Sequence, residues 1–139
     1  MSKYAILCVD DEEIILTSLE SLLNKYFSAC CDVELAQSAE DGLEIIQEFM
    51  DEDIEVVVII SDWLMPGMKG DEFLIKAEKL CPGMEKIMLS GHADENAVKR
   101  AEEGNALDIF IHKPWESSKL IEIIANGLRK HGCEVPQDI

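Results

Sequence analysis

Val56-Val57-Val58-Ile59-Ile60-Ser61-Asp62 is the stretch that decides the fold of this chain of 139 residues. Its apolar run is continuous rather than alternating, which is typical of a strand in a parallel sheet covered on both faces. The run ends on the carboxylate of Asp62. In an open parallel sheet, ligands bind in the crevice outside the carboxyl ends of the strands. We therefore expect Asp62 to lie at the edge of the sheet that carries the functional site.

Polar side chains follow three other apolar runs in the same way. The runs are 4–9, 87–89 and 109–112, and the polar residues after them are Asp10 and Asp11, Ser90, and Lys113. Because the carboxyl ends of parallel strands share one edge, three carboxylates, one hydroxyl and one ammonium are expected to converge there. That combination suits a divalent cation and a phosphoryl group.

Helical patterns alternate with the strands along the chain. Apolar residues recur at helical spacing at Ile15, Leu19, Leu22 and Leu23, at Leu43, Ile46, Phe49 and Met50, at Phe73, Leu74, Ala77 and Leu80, and at Leu120, Ile121, Ile124 and Leu128. A short strand is predicted over 32–36 and a weaker helix over 94–103. Ser38 is expected to N-cap the second helix and Gly104 to close the fourth. Five strands alternating with five helices predict an α/β fold, a doubly wound parallel sheet with right-handed crossovers.

Charge and cysteine content restrict the class of protein. With 29 acidic and 12 basic residues, the net charge of −17 argues against a nucleic-acid surface, which needs a basic patch. No apolar stretch approaches the ~20 residues of a membrane-spanning helix, and no signal peptide is expected before the first strand. The five cysteines are odd in number and lack the spacing of a zinc site, and Cys8 is predicted to be a core residue. We expect one domain in a reducing cytoplasm.

The three carboxylates favour a metal ion. Two carboxylates ~4 Å apart repel by ~4 kcal/mol at an effective dielectric of about 20, so three are unfavourable unless a cation binds or a pKa rises. Mg²⁺ prefers oxygen ligands and bridges readily to phosphate. A metal-bound cluster with one carboxylate free to attack phosphorus is a phosphoacceptor. In such a site Lys113 would supply a second positive charge, and Ser90 would donate a hydrogen bond to a phosphoryl oxygen.

Four motifs make the chain similar to the receiver domains of two-component response regulators, which share the fold of the single-domain chemotaxis regulator. They are Val-Asp-Asp (9–11), Ser-Asp-Trp-Leu-Met-Pro-Gly-Met-Lys-Gly (61–70), Leu-Ser-Gly (89–91) and His-Lys-Pro-Trp (112–115). The resemblance covers about residues 3–130. It implies a flavodoxin-like sheet of order 2-1-3-4-5, a receiver domain at 1–130, and a tail or truncated linker to an output domain at 131–139.

The resemblance implies a phosphoacceptor and a set of metal ligands. Asp62 takes the position that accepts a phosphoryl group from the phosphohistidine of a sensor histidine kinase or a phosphotransfer protein. Mg²⁺ would be bound directly by Asp11, Asp62 and the backbone carbonyl of Leu64, while Asp10 would act mostly through water. Such a receiver is not an enzyme, although it assists its own phosphoryl transfer and dephosphorylation.

The resemblance also implies a switch. The aspartyl phosphate adds negative charge and acceptor oxygens, which draw Ser90 and Lys113 toward it and leave space into which Phe110 turns. The surface of the fourth helix, fifth strand and fifth helix is then remodelled. That surface would bind a downstream output domain or protein, and it is also where receivers form homodimers. The peptide between Lys113 and Pro114 is expected to be cis.

Two variable positions of the family flank the site, and here they carry Leu64 and His92. A carboxamide or carboxylate at such a position can orient an attacking water, which Leu64 cannot do. The sequence therefore predicts slow self-dephosphorylation. His92 is expected at the solvent edge and not as a metal ligand.

Three other functions are weighed against this one. A metal-dependent aspartyl phosphatase of the haloacid-dehalogenase kind needs a second Asp two residues after the nucleophile, where this chain has Leu64. A flavodoxin-like redox protein needs a phosphate-binding loop rich in Ser, Thr or Gly after the first strand, where this chain has Asp10-Asp11-Glu12-Glu13. A phosphorylation-independent interaction module would not need the acceptor-site residues, all of which are present.

Overall fold

Strands and helices alternate five times in the computed structural model, which describes residues 3–91, 95–104 and 106–136. The elements are β1 (Tyr4–Val9), α1 (Glu13–Phe27), β2 (Asp32–Ala36), α2 (Ala39–Asp51), β3 (Glu55–Ser61), α3 (Gly70–Leu80), β4 (Glu85–Ser90), α4 (Glu95–Glu103), β5 (Ile109–His112) and α5 (Ser117–Lys130). All neighbouring strands pair in parallel, in the order β2-β1-β3-β4-β5. The predicted doubly wound α/β fold and its strand order are confirmed. Among the described residues, no helix combines the length and apolar character needed to cross a membrane.

Helices cover both faces of the sheet and create two apolar clusters. Leu7 and Ile59 point into the cluster shared with α2, α3 and α4. Their neighbours Cys8 and Ile60 point into the cluster shared with α1 and α5. Successive side chains of a strand lie on opposite faces, so a strand buried on both faces is apolar at every position. Cys8 is 0% exposed, which confirms its prediction as a core residue.

Local signals set the ends of two helices. Ser38 has extended backbone and its Oγ accepts a 3.1 Å hydrogen bond from the Asp41 N–H, which confirms the predicted N-cap of α2. Gly104 follows α4, and its N–H closes the last turn with a 3.0 Å hydrogen bond to the carbonyl four residues earlier. His92 and Asp94, the residue where α4 was predicted to begin, lie outside the described residues.

The residues after α5 pack against the amino-terminal edge of the sheet. Cys133 is 6% exposed in the α1–α5 cluster, and Val135 packs against the same cluster. The thiol of Cys133 lies beside that of Cys31, the residue before β2. Arg129 Nη2 donates a 3.0 Å hydrogen bond to the Pro136 carbonyl. The folded unit therefore continues beyond the last turn of α5.

Candidate functional site

Three carboxylates meet at the carboxyl ends of β1 and β3, two strands that pair in the middle of the sheet. Asp10 and Asp11 follow β1 and Asp62 follows β3. One carboxylate oxygen from each lies within 4.8 Å of the other two. Asp10 and Asp62 are buried, with 2% and 6% exposure, whereas Asp11 is exposed. The structure thus brings together the three acidic residues that the sequence singled out.

Backbone N–H groups orient the two buried carboxylates. Asp10 Oδ1 accepts a 2.9 Å hydrogen bond from the N–H of Glu12, and Asp62 Oδ1 accepts a 2.8 Å hydrogen bond from the N–H of Trp63. In both residues the other oxygen, Oδ2, is left for a partner from a different element. Each carboxylate is therefore held in place by the chain that immediately follows it.

Lys113 supplies that partner from the end of β5. Its Nζ lies 2.8 Å from Asp10 Oδ2 and 3.4 Å from Asp62 Oδ2, so one ammonium bridges the two buried carboxylates. Together with Asp11, three carboxylates and one ammonium leave the cluster with a formal charge of −2. A site with a net charge of −2 favours binding of a divalent cation.

The pKa values follow from the same contacts. Burial raises the pKa of Asp10 above its usual value of 3.8, and the charge of Asp62 raises it further, although the hydrogen bonds from Lys113 and Glu12 oppose that rise. Burial lowers the pKa of Lys113, but the hydrogen bond to Asp10 and the charges of Asp10 and Asp62 raise it above 10.5 overall. Lys113 therefore stays an ammonium ion in this site at neutral pH.

Ser90 and Phe110 lie on the two strands beyond β3. Ser90 is fully buried at the end of β4, and its carbonyl accepts a 3.2 Å hydrogen bond from the N–H of Lys113. Phe110 is half-buried in β5. Its ring is edge-on to that of His112, with 4.7 Å between the ring centres. The Lys113–Pro114 peptide is cis, as predicted.

An open groove with a volume of about 1030 Å³ lies over the cluster. Its lining residues are Asp11, Glu12, Ile15, Asp62, Leu64, Met65, Pro66, Gly91, Lys113, Pro114 and Trp115. Leu64, at 48% exposure, presents an apolar side chain to this groove. Carboxylate oxygens next to an open groove suit Mg²⁺, which keeps several waters and uses few protein ligands. The residues present therefore fit a magnesium ion.

Gly70 packs directly against the backbone of Asp62. Its N–H donates a 2.8 Å hydrogen bond to the Trp63 carbonyl. A Cβ at position 70 would overlap the Asp62 carbonyl oxygen. Glycine is needed here because two backbone segments approach closely, and no left-handed conformation is involved.

One buried carboxylate near the site was not predicted from the sequence. Asp71, in the first turn of α3, is 5% exposed and accepts hydrogen bonds from Trp63 Nε1 at 3.2 Å and from Arg100 Nη2 at 3.0 Å. An acidic residue in the first turn of a helix is usually explained by the helix dipole and exposed to solvent. Nothing in the one-dimensional pattern connects Trp63, Asp71 and Arg100, because their side chains meet only after α3 and α4 have packed.

Comparison with known proteins identifies relatives along almost the whole chain. The family described as response regulator receiver domain matches residues 6–125. The transcriptional regulatory protein FixJ of Rhizobium meliloti is 34% identical, over 89% of this chain and 56% of its own length. The chemotaxis protein CheY of Halobacterium salinarum is 28% identical, over 88% of this chain and 95% of its own length.

The similarity extends to solved structures. A CheY-like response regulator receiver domain protein from Methanospirillum hungatei is 34% identical and superimposes with a TM-score of 0.80, covering 93% of this chain and 96% of that one. The chain thus spans nearly all of the CheY relative but only about half of FixJ.

Proposed function

Because the chain belongs to the response regulator receiver domain family, we propose that Asp62 accepts a phosphoryl group from the phosphohistidine of a sensor histidine kinase or a phosphotransfer protein. The observation that carries this proposal is the cluster of Asp10, Asp11 and Asp62, with oxygens within 4.8 Å of one another and Lys113 bridging two of them. Phosphoryl transfer depends mainly on positioning and charge stabilisation, and this cluster supplies both.

Asp62 is better placed than Asp10 to act as the nucleophile. Asp62 and Asp11 line the open groove. Asp10 is not among the groove's lining residues, and its Oδ2 is paired with Lys113 Nζ at 2.8 Å. The N–H of Trp63 binds Asp62 Oδ1, so Oδ2 is the oxygen with the weaker partner, Lys113 at 3.4 Å. Asp62 Oδ2 would form the new bond to phosphorus as the bond from phosphorus to the imidazole nitrogen of the donor breaks, and that nitrogen keeps the electron pair.

Asp11, Asp62 and the backbone carbonyl of Leu64 would hold Mg²⁺, with Asp10 acting through water. When bound, the ion offsets the negative charge of the carboxylates and of the phosphoryl oxygens. Lys113 would pair with one phosphoryl oxygen, since its ammonium already lies between two carboxylates. From the end of β4, the Ser90 hydroxyl would donate a hydrogen bond to another phosphoryl oxygen.

Movement of Ser90 and Phe110 would carry the signal to the surface formed by α4, β5 and α5. This surface would bind a downstream output domain or protein, or a second copy of the chain. The chain would assist its own phosphorylation and dephosphorylation without acting on a separate substrate. We place this activity in the cytoplasm, where sensor kinases present their phosphohistidine.

The experiment that tests the proposal is intact-mass measurement after incubation with acetyl phosphate, with and without Mg²⁺. We expect a magnesium-dependent gain of one phosphoryl group in the wild type and no gain in the Asp62→Ala variant. Glu13→Ala, which removes a nearby exposed carboxylate on α1, is the matched control and should gain the group normally. A folded wild-type chain that binds Mg²⁺ but gains nothing from acetyl phosphate or a histidine kinase would instead favour an interaction module that works without phosphate.

The Leu64 side chain leads to a prediction about the lifetime of the phosphorylated state. Leu64 is half-exposed in the groove and has no polar group with which to orient an attacking water. We expect Leu64→Asn to shorten the phosphoryl half-life about fivefold, since one hydrogen bond is worth ~1 kcal/mol. The half-life is read from intact mass after removal of the donor. Met50→Asn, an exposed apolar position on α2, should leave it unchanged, and an equal half-life for Leu64→Asn would contradict the prediction.

The raised pKa of Asp10 leads to a prediction about stability and pH. Because its pKa in the folded chain lies above 3.8, Asp10 stabilises the metal-free fold below pH 3.8, and this contribution is lost as the pH rises through the raised value. We therefore expect Asp10→Asn to be more stable than the metal-free wild type at pH 7, by a margin that shrinks toward pH 3.5. Urea denaturation across this range measures the difference. Adding Mg²⁺ at pH 7 should stabilise the wild type more than the variant, because a ligand stabilises the state that binds it.

A further inference from the structure

A line of polar contacts leads from Asp62 to α4. The N–H of Trp63 donates to Asp62 Oδ1 at 2.8 Å. The indole Nε1–H of the same residue donates to Asp71 Oδ1 at 3.2 Å, and Asp71 Oδ2 accepts from Arg100 Nη2 at 3.0 Å. Arg100 belongs to α4, so three hydrogen bonds and one indole ring join the acceptor carboxylate to that helix.

Trp63 is held firmly enough to transmit a displacement. The residue is 8% exposed. Its carbonyl accepts a hydrogen bond from the N–H of Gly70, and Lys69 Nζ lies 5.1 Å from the centre of its ring. Because the backbone, the ring face and the indole N–H all have partners, the ring and the N–H that binds Asp62 are expected to move together.

Asp71 connects the Trp63 indole to Arg100 through a buried carboxylate. Its side chain is 7% exposed, and a buried charge is stable only when it is paired and hydrogen-bonded. Among the ion pairs of the described residues, Arg100 is its partner. The side chain of Arg100 is 61% exposed, so it can leave the carboxylate without being trapped in an apolar environment. The Asp71–Arg100 ion pair therefore stabilises the buried carboxylate, but it can be broken.

Helix α4 has a small apolar face among its described side chains. Five of its nine residues are charged. Among its described side chains, Val98 and Ala101 contribute to the apolar cluster. A short helix with so small an apolar face is expected to have low local stability, so one ion pair with a buried partner has a larger influence on its position than it would on a well-packed helix.

We propose that Asp71 and Arg100 are positioning residues that couple the Asp62 carboxylate to α4 through the Trp63 side chain. This inference rests on the proposed function, because phosphorylation is the change at Asp62 that would be transmitted. The route is separate from the one through Ser90 and Phe110. It reaches α4 from α3, whereas Ser90 and Phe110 lie on β4 and β5.

Hydrogen–deuterium exchange of the α4 backbone tests the coupling without requiring phosphorylation. Asp62→Ala removes the acceptor of the Trp63 N–H, and we expect exchange in residues 95–103 to become at least about twofold faster. In an Arg100→Ala background the same Asp62 change should have no further effect. Asp71→Asn should abolish the response in the same way, because it keeps an acceptor for the indole but loses the charge that holds Arg100.

Two variants separate this coupling from a general loss of charge on α4. Lys99→Ala removes an exposed positive charge from the neighbouring position, and the response to Asp62→Ala should remain. Arg100→Lys keeps the charge and should restore at least part of the response. An equal response to Asp62→Ala with and without Arg100 would overturn the proposal.

Intact-mass phosphorylation of the wild type and Arg100→Ala distinguishes failure of the coupling from failure of the proposed function. A wild type that gains a phosphoryl group, with an α4 response that does not depend on Arg100, would refute the coupling and leave the phosphoacceptor role intact. A wild type that gains no phosphoryl group, with an α4 response that does depend on Arg100, would support the coupling and refute the phosphoacceptor role.

Discussion

We expect the Gly70→Ala substitution to lower the free energy of unfolding by about 3 kcal/mol, because inserting an atom into packed backbone forces the surrounding structure to shift. The new Cβ would overlap the Asp62 carbonyl oxygen and would lie 2.8 Å from Trp63 Cα. Both neighbours are backbone atoms, which cannot rotate away as a side chain can. The end of β3 and the start of α3 would have to separate.

The same displacement should reduce phosphoryl incorporation, because the backbone that must move carries Asp62, the proposed acceptor. Urea denaturation measures the loss of stability, and intact mass after acetyl phosphate treatment measures incorporation. Gly91→Ala is the matched control for stability, since among the described residues its Cβ would meet nothing closer than Lys113 Cβ at 3.9 Å. Equal stabilities of the Gly70 and Gly91 variants would show that the backbone contact is not restrictive.

Removal of the Lys86 side chain is the second change with a large expected effect. Lys86 is 3% exposed at the start of β4, where its Nζ donates to the Met84 carbonyl at 2.8 Å and to Glu78 Oε2 at 3.0 Å, and lies 3.6 Å from Asp108 Oδ2. Breaking a buried ion pair from one side typically costs 3–5 kcal/mol. Since the two carboxylates are 17% and 38% exposed and can be partly rehydrated, we expect Lys86→Ala to cost about 2–3 kcal/mol.

Two further variants identify the cause of that loss. Lys86→Met keeps most of the apolar stem and removes the charge, so it should recover about 1 kcal/mol of the loss through packing alone. Lys76→Ala breaks an exposed pair with Glu72 on α3 and should cost less than about 0.5 kcal/mol. Chemical denaturation of the three variants gives the comparison. A loss for Lys86→Ala as small as that for Lys76→Ala would mean that the ion pair does not stabilise the fold.

The fold and the acidic cluster were predictable because both follow from the ends of apolar runs. A buried parallel strand is apolar at every position, so the run ending at Asp62 marks both the strand and the edge where the site forms. The first polar residues after β1, β3 and β5 must then lie near one another, however the helices pack. Asp10, Asp11, Asp62 and Lys113 are found together for this reason.

The rule fails where a charged residue belongs inside the folded structure. The apolar run that predicted the fourth strand begins at Ile87, but the strand itself begins at Glu85, and Lys86 is buried within it. A lysine before an apolar run resembles a solvent-exposed residue, and its partners Glu78 and Asp108 come from other elements. Met50 fits the helical pattern of α2 and yet is 39% exposed. Periodicity identifies which face of a helix is apolar. It does not show that the last turn of α2, where Met50 lies, is less covered by the rest of the protein than the turns before it.

The packing of Cys133 and Val135 fixes the position from which any following polypeptide would leave the domain. Cys133 lies beside Cys31, and Gly132 and Glu134 line a hollow with Lys3, Tyr4 and Asp32 at the amino-terminal ends of β1 and β2, whereas Asp62 is at the carboxyl-terminal edge. A seven-residue strand such as β3 spans roughly 20 Å at about 3.3 Å per residue. A domain attached after residue 136 would thus begin at the end of the sheet opposite Asp62. At about 3.3–3.6 Å per extended residue, a linker of roughly six or more residues would be needed before such a domain could reach Asp62.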